Sequence, residues 1–174
     1  NEWLGEAASS PTSALAEVRR AFATLLENIP GMAYRCDNDR NWTMQFVSGK
    51  AEELTGYTPE ELIDNEAIAY ADLIHAEDRD GVWAKVQEAL EHREPFSLIY
   101  RIHDRNGQLK WVHEQGCGVF DEEGRLEALE GFMTDVTEQR RTERARERLA
   151  AEHRRVAVVD RLIADILTDF VDAT

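Results

Sequence analysis

Between Glu94 and Glu138 the sequence runs EPFSLIYRIHDRNGQLKWVHEQGCGVFDEEGRLEALEGFMTDVTE. No other stretch restricts the fold as strongly. Phe96 to Ile102 is rich in β-branched and aromatic residues, a strand composition. Asn106-Gly107 follows and reads as a tight hairpin turn, because primed turns need positive φ and these two residue types tolerate it. Leu109 to Phe120 is the second strand-like run, carrying Trp111, Val112, Val119 and Phe120. Glu122-Glu123-Gly124 marks another turn, and Leu126 to Val136 is the third run. Three successive antiparallel strands make a meander, and the last feeds straight into a charged helical tail.

The residues before the meander supply the rest of a domain. Residues 1–13 are small and polar and read as a linker. Thr12 or Ser13 is the expected cap of a first helix, with Leu15, Val18, Phe22, Leu25 and Leu26 forming one apolar face, ending near Asn28 before Pro30-Gly31. Met32 to Asp37 is a short strand in which Met32, Tyr34 and Cys36 share a face. Trp42 to Ser48 is expected to be its hairpin partner. Lys50 to Leu54 is a short helix stopped by Gly56. Thr58-Pro59-Glu60-Glu61-Leu62 opens another, with Thr58 as cap, Pro59 first in the helix and Glu61 closing a capping box. Ile68 to Ile74 reads as irregular or a single turn. Glu77 to His92 is a longer helix with Val82, Trp83, Val86, Ala89 and Leu90 inward. The sum is an α+β layout: a five-stranded antiparallel sheet with short helices on one face, an N-terminal flanking helix and a long C-terminal helix.

Charge narrows the function. The chain has 20 Lys and Arg against 35 Asp and Glu, a formal net charge of −15. A general nucleic-acid binder carries a basic face, so that class is set aside. No apolar run approaches the roughly 20 residues that span a bilayer, and no signal peptide is visible. The chain opens on Asn1 rather than Met, as expected of a piece of a longer protein, in which a membrane segment elsewhere stays open. Cys36 and Cys117 stand alone, without CxxC or a paired His cluster, and fit reduced cytosolic thiols.

From residue 138 to 155 there are seven Arg and four Glu. Leu149, Val156, Ile163 and Phe170 are seven apart, and Val159 and Ile166 follow the second and third of them by three. That is an a/d pattern, expected to hold a homodimer through a coiled coil. The alternative is an amphipathic helix folded back on its own domain, and Leu162 and Leu167 widen the stripe toward bundle packing.

From about Leu26 to Gln139 the chain resembles a PAS domain of the bacterial sensory subtype with a C-terminal PAC motif. The matching pieces are Phe46-Val47-Ser48, Leu54-Thr55-Gly56-Tyr57-Thr58-Pro59-Glu60-Glu61-Leu62, Leu73-Ile74-His75-Ala76-Glu77-Asp78-Arg79, Pro95-Phe96, Tyr100-Arg101-Ile102, Asp104-Arg105-Asn106-Gly107, Trp111-Val112, Gly131-Phe132 and Asp135-Val136-Thr137-Glu138-Gln139. Their order and spacing carry the match, since no piece is specific alone. The resemblance implies a linker and flanking helix over residues 1–28, the PAS domain over 29–137 and a signalling helix over 138–174. It implies a sensory and dimerising module rather than an enzyme, with Asp135 and Thr137 as the exit into the signalling helix. An output domain, such as a cyclic-dinucleotide enzyme or a kinase, is expected elsewhere in the same protein. The location implied is the cytoplasm, or the cytoplasmic portion of a membrane sensor. The segment Asp160 to Phe170 resembles, more briefly, the opening helix of a GAF domain.

Site candidates follow from this. Phe46, Tyr57, Trp83, Trp111 and Met133 are candidates to line a small-molecule or flavin pocket; the competing reading is core filling. His113 is a further pocket candidate, and His75 a weighed haem ligand that reads better as a helix-start residue. Alternation places Trp111, His113, Gln115 and Cys117 on one face, Val112, Glu114 and Gly116 on the other; which face meets the helices stays open. The Asn-Cys-Arg-Phe-Leu-Gln type motif of flavin photochemistry is absent, so no cofactor is specified. His153 lacks a phospho-acceptor pattern, Glu77, Asp78 and Asp80 sit where acids suit a helix start, and no zinc motif, P-loop or dinucleotide turn occurs. Two readings remain: a sensor relaying ligand or packing changes into the C-terminal helix, and a purely structural dimerisation module with a filled core.

Overall fold

The computed structural model describes residues 11–172, with the side chains at 11–13, 27, 156, 158–160 and 162–172 outside the described set. The elements are α1 (Pro11–Asn28), β1 (Met32–Cys36), β2 (Met44–Val47), α2 (Ala51–Thr55), α3 (Pro59–Leu62), α4 (Tyr70–Leu73), α5 (Arg79–His92), β3 (Phe96–His103), β4 (Leu109–Phe120), β5 (Leu126–Asp135) and α6 (Thr137–Asp172). The strands form one sheet in the order β2-β1-β5-β4-β3, each neighbour antiparallel. The fold class is α+β, and the meander places its last strand in the middle of the sheet. One compact unit ends at Asp135 and a second begins at Val136.

Period-two burial builds the core. Phe96, Leu98, Tyr100 and Ile102 of β3 are buried, while Ser97 and Ile99 between them are exposed. On β1, Met32, Tyr34 and Cys36 are buried. Side chains as fully buried as Ile102 and Val112 each contribute about 1.5–3 kcal/mol. The segment from α2 to α4 bridges the inner face and is tied to both sheet edges. Asp64 N–H donates to Met44 O at 2.8 Å on the β2 edge, and His75 N–H donates to Arg101 O at 2.9 Å on the β3 edge. Gly56 adopts φ 77° and ends α2; Thr58 N–H donates to Glu61 Oε2 at 3.0 Å at the start of α3.

Three expectations are corrected. The first helix begins at Pro11, ahead of the expected Thr12 or Ser13 cap; proline suits a first helical turn. The second strand begins at Met44 rather than Trp42. The Asp39 carboxylate takes the N–H and hydroxyl of Thr43, and Trp42 is held at φ 52° in the turn. Neither meander turn is a two-residue primed turn. In both an aspartate closes the loop with its own side chain: Asp104 Oδ1 accepts the N–H groups of Asn106 and Gln108, and Asp121 Oδ1 accepts that of Arg125. Only Gly107 and Gly124 take positive φ there, at 75° and 78°.

The start of α5 is clamped to the exposed edge of the sheet. Asp78 accepts the Arg101 N–H and Nε at 2.9 Å and Nη2 at 2.6 Å, which holds its carboxyl below the usual range. This two-pronged pairing gives the acid a specific partner beyond the helix-start role expected of it. Asp78→Asn should lower the unfolding free energy by about 1–2 kcal/mol in urea titration. An unchanged midpoint would show that the clamp adds nothing.

In the second unit, α6 begins with Arg140 N–H on Val136 O at 2.9 Å and a Glu138–Arg141 ion pair. Leu149 is 57 % exposed. The other heptad positions, Val156, Val159, Ile163, Ile166 and Phe170, and most of the GAF-like segment, have side chains outside the described set. Among the described residues, no helix is long and apolar enough to cross a membrane.

Candidate functional site

The register decides the open question of which β4 face meets the helices. Tyr100 pairs with Val112, Leu98 with Glu114, and Glu114 in turn with Met133 of β5. Since Leu98, Tyr100 and Met133 face the core, Val112 and Glu114 do too; Glu114 is only 6 % exposed. A carboxyl at such a position is costly unless donors reach it.

Two tyrosines supply them, and a third supports the second. Tyr34 Oη of β1 donates to Glu114 Oε1, and Tyr100 Oη of β3 donates to Glu114 Oε2 at 2.8 Å. Tyr70 Oη of α4 lies 3.0 Å from Tyr100 Oη. Because the single Tyr100 hydrogen goes to Glu114, Tyr70 is the donor in that pair. Tyr34 and Glu114 are separated by β5, and Gly131 makes the crossing feasible. A Cβ on Gly131 would stand 2.4 Å from Gln115 O and 2.9 Å from the Tyr34 hydroxyl.

The cluster lies against a small cavity shaped by Met44, Ile74, Val86, Phe96 and Met133, and among the described residues no Lys, Arg or His side chain lines it. The space open to the centre of a water molecule is about 10 Å³, room for about one water. Burial pushes the Glu114 carboxyl above its ordinary range, against the pull of its two tyrosine bonds. Burial, then the Glu114 charge, pushes Tyr34 and Tyr100 well above theirs, and Tyr70 rises for the same reasons. The phenols therefore remain donors at all ordinary pH values. Burial likewise raises the Cys36 thiol, which suits an inert core cysteine.

Of the six pocket candidates, Met133 lines this cavity. Tyr57 and Trp83 pack on the outer side of the core. The Tyr57 ring lies 4.8 Å beneath the Arg105 guanidinium, and Trp83 lies 5.1 Å from Trp42 with Arg40 over it at 4.3 Å. Phe46, Trp111 and His113 belong to the opposite sheet face. Phe46 pairs with Arg35 and is 39 % exposed, Arg101 sits 5.9 Å from the Trp111 ring, and His113 Nε2 lies 2.8 Å from Ser97 Oγ. Asp135 ends β5 and Thr137 begins α6. His75 stacks on His103 at 5.2 Å at the sheet edge. Glu114, Tyr34, Tyr70 and Tyr100 are not among the candidates that the sequence singles out.

A flavin or haem does not fit this interior. Organic-ligand pockets run to about 300–1,000 Å³, and here the tyrosine and methionine side chains occupy that space. Among the described residues, no group of three or more His, Cys, Asp or Glu is placed to hold a metal ion.

Comparison with known proteins agrees with this architecture. A sensory box histidine kinase/response regulator from Burkholderia thailandensis superposes with a TM-score of 0.62 and 26 % identity, over 77 % of this chain and 98 % of that one. A methyl sulfide methyltransferase-associated sensor of Methanosarcina acetivorans is 35 % identical over 103 residues, 59 % of this chain and 10 % of that protein. A blue-light-activated histidine kinase of Brucella ovis is 32 % identical over 108 residues, 59 % of this chain and 21 % of that protein. The chain thus spans a small fraction of those two relatives. The sequence pattern of the PAS fold matches residues 44–133, more than half of the chain, and the chain belongs to the PAS fold family.

Proposed function

We propose that this chain is the sensory PAS module of a multidomain signal-transduction protein, and that it relays changes around Glu114 through β4 and β5 into α6. One observation carries the reading. Glu114, the polar centre of the interior, is the direct register partner of Met133, two residues before β5 ends at Asp135. A change of occupancy or hydrogen bonding at the centre therefore acts on the strand that continues into α6 at Thr137. The likeness to sensors and sensor kinases supports the same role. The module itself is not catalytic, and any output reaction belongs to another domain of the same protein.

In this reading the module works as a homodimer, in the cytoplasm or as the cytoplasmic portion of a membrane sensor, with the division at 28/29 and 137/138. Leu15, Val18, Phe22 and Leu25 of α1 are each more than half exposed, and Leu149 of α6 likewise, which suits helices that associate between copies. Sedimentation should show a dimer, weakened by charge at Phe22 and at Ile163. A monomer at high concentration would remove the dimer from the proposal.

The relay is tested by amide hydrogen exchange on the whole chain. Tyr100→Phe, which alters the interior and leaves α6 untouched in sequence, should change protection in β5 and in the first turns of α6. Unaltered exchange after Thr137 would sink the relay. The tight interior favours a second reading, a structural dimerisation module without an organic ligand. In that case the dimer persists while Tyr100→Phe leaves α6 unchanged.

A further inference from the structure

We propose that Glu114 is a proton-binding switch, in which uptake of one proton turns the Tyr100 hydroxyl hydrogen away from Glu114 and onto the sulfur of Met133. The switch itself rests on the interior geometry; its signalling consequence rests on the relay proposed above.

The hydrogen count leads to it. With Glu114 ionised, three phenolic hydrogens meet three acceptors: Tyr34 on Oε1, Tyr100 on Oε2 and Tyr70 on the Tyr100 oxygen. A fourth hydrogen needs a fourth acceptor. Placed on Oε1 it would donate to Tyr34 and displace that hydroxyl's own hydrogen, and the described contacts of Tyr34 Oη hold no other acceptor. On Oε2 it would donate to Tyr100 Oη, whose oxygen has two lone pairs and so keeps the bond from Tyr70 as well. The Tyr100 hydrogen then turns to Met133 Sδ, which already lies 3.8 Å from Tyr100 Oη. All four hydrogens are placed. The proton comes from solvent, the Tyr100–Oε2 donation breaks, an Oε2–H donation to Tyr100 forms in its place, and no other atom is exchanged.

The groups facing Glu114 leave it as the one that changes charge as the pH falls. From β1 they are Tyr34 and Cys36, from α4 Tyr70 and from β3 Tyr100. The facing residues of β2, α5 and β5 are Met44, Val82, Val86, Leu129 and Met133, none of which titrates. The phenols and the thiol are all held further from ionising by burial. The exchange turns a bond to a charged acceptor on β4 into a weaker neutral one of reversed direction, and adds a weak bond from Tyr100 to a thioether on β5. A neutral Glu114 thus holds Tyr100 of β3 less strongly, without releasing it, and adds a contact to the strand that leads to α6.

The test is a pH titration of the full chain. The Glu114 side-chain carboxyl is followed by carbon-13 chemical shift in the wild type, with infrared difference spectra for the protonated carbonyl. Circular dichroism marks the folded range. A carboxyl that titrates above the ordinary range while the chain stays folded, with a carbonyl band missing in Glu114→Gln, is expected. Met133→Leu keeps the volume and removes the sulfur, and should move the midpoint to lower pH by roughly half a unit. Three results would overturn the switch: no titration of Glu114 within the folded range, a band retained in Glu114→Gln, or a midpoint unmoved in Met133→Leu. Because the wild-type titration needs no variant, a misfolded Glu114→Gln leaves the test decisive. Amide exchange after Thr137 reads the relay separately: titration of Glu114 without a change there upholds the switch and counts against the relay.

Discussion

Gly31→Ala should cost about 3 kcal/mol of unfolding free energy, read from the urea midpoint. Gly31 stands immediately before β1 with φ 141°, a conformation that L side chains rarely adopt. A Cβ there would lie 2.1 Å from the Met133 carbonyl oxygen and 2.9 Å from Thr134 Cγ2. The clash is with backbone, so no side-chain rotation relieves it. β1 would have to move off β5, and with it Tyr34 and the Met133 backbone beside Glu114. The contrasting substitution is Gly81→Ala within α5. Nothing lies within 4 Å of a Cβ at Gly81, and its backbone is helical. Alanine there should stabilise by up to about 1 kcal/mol, because it gives up less backbone freedom on folding. Similar midpoints for both variants would remove the steric account of Gly31. A loss confined to Gly31→Ala ties the effect to that strand start rather than to glycine replacement in general.

Much of the fold was readable because its signals are local. Gly56, the Thr58-Pro59 helix start and the three meander strands each depend on residues within one turn or one strand. The meander turns show the limit of that approach. Asn106-Gly107 invites a primed turn, yet Asp104 and Asp121, each three residues ahead of a glycine, set the loop by accepting backbone N–H groups. Trp42 reads as strand by composition and is turn by geometry, because the Asp39 carboxylate governs the residues after it.

The site was less legible for a physical reason. In β4 both faces carry large residues, so alternation alone left Trp111 and His113 level with Val112 and Glu114. An acidic residue on a strand is ordinarily solvated, and nothing local to Glu114 marks it as buried. A usable signal was nevertheless present. Tyr34 shares a face with Met32 and Cys36, and Tyr100 shares one with Phe96, Leu98 and Ile102. Two phenols on apolar faces need polar partners. Glu114 meets that need on a central strand, opposite a glycine-bearing neighbour over which Tyr34 can reach. Asp135 and Thr137 are a different case. Chain order places them at the strand-to-helix junction, and their role in signalling remains part of the proposed relay.

Tyr100→Phe should destabilise the protein more than Tyr34→Phe, and both losses should shrink as the pH falls. Each substitution removes one donor from a buried carboxyl, a cost of about 2 kcal/mol where Glu114 is ionised. Tyr100→Phe also leaves the Tyr70 hydroxyl without its acceptor, which adds about 1 kcal/mol. The pH dependence follows from the raised carboxyl of Glu114. In the unfolded chain it titrates at its ordinary value, near 4.5, and in the folded protein it holds its proton to higher pH. Between those two values the folded state binds more protons than the unfolded one. The favourable contribution of Glu114 is therefore complete below the ordinary value and is lost as the pH rises through the folded one. Both tyrosine bonds favour the ionised form, so removing either raises the folded value further and extends that window upward. At acid pH Glu114 is neutral in wild type and variants alike, and the missing donor matters less. Urea titrations of the three proteins across the folded pH range give the comparison directly. Equal losses for the two variants would remove Tyr70 from the network. Losses that stay constant with pH would mean that the phenols do not act through the charge of Glu114.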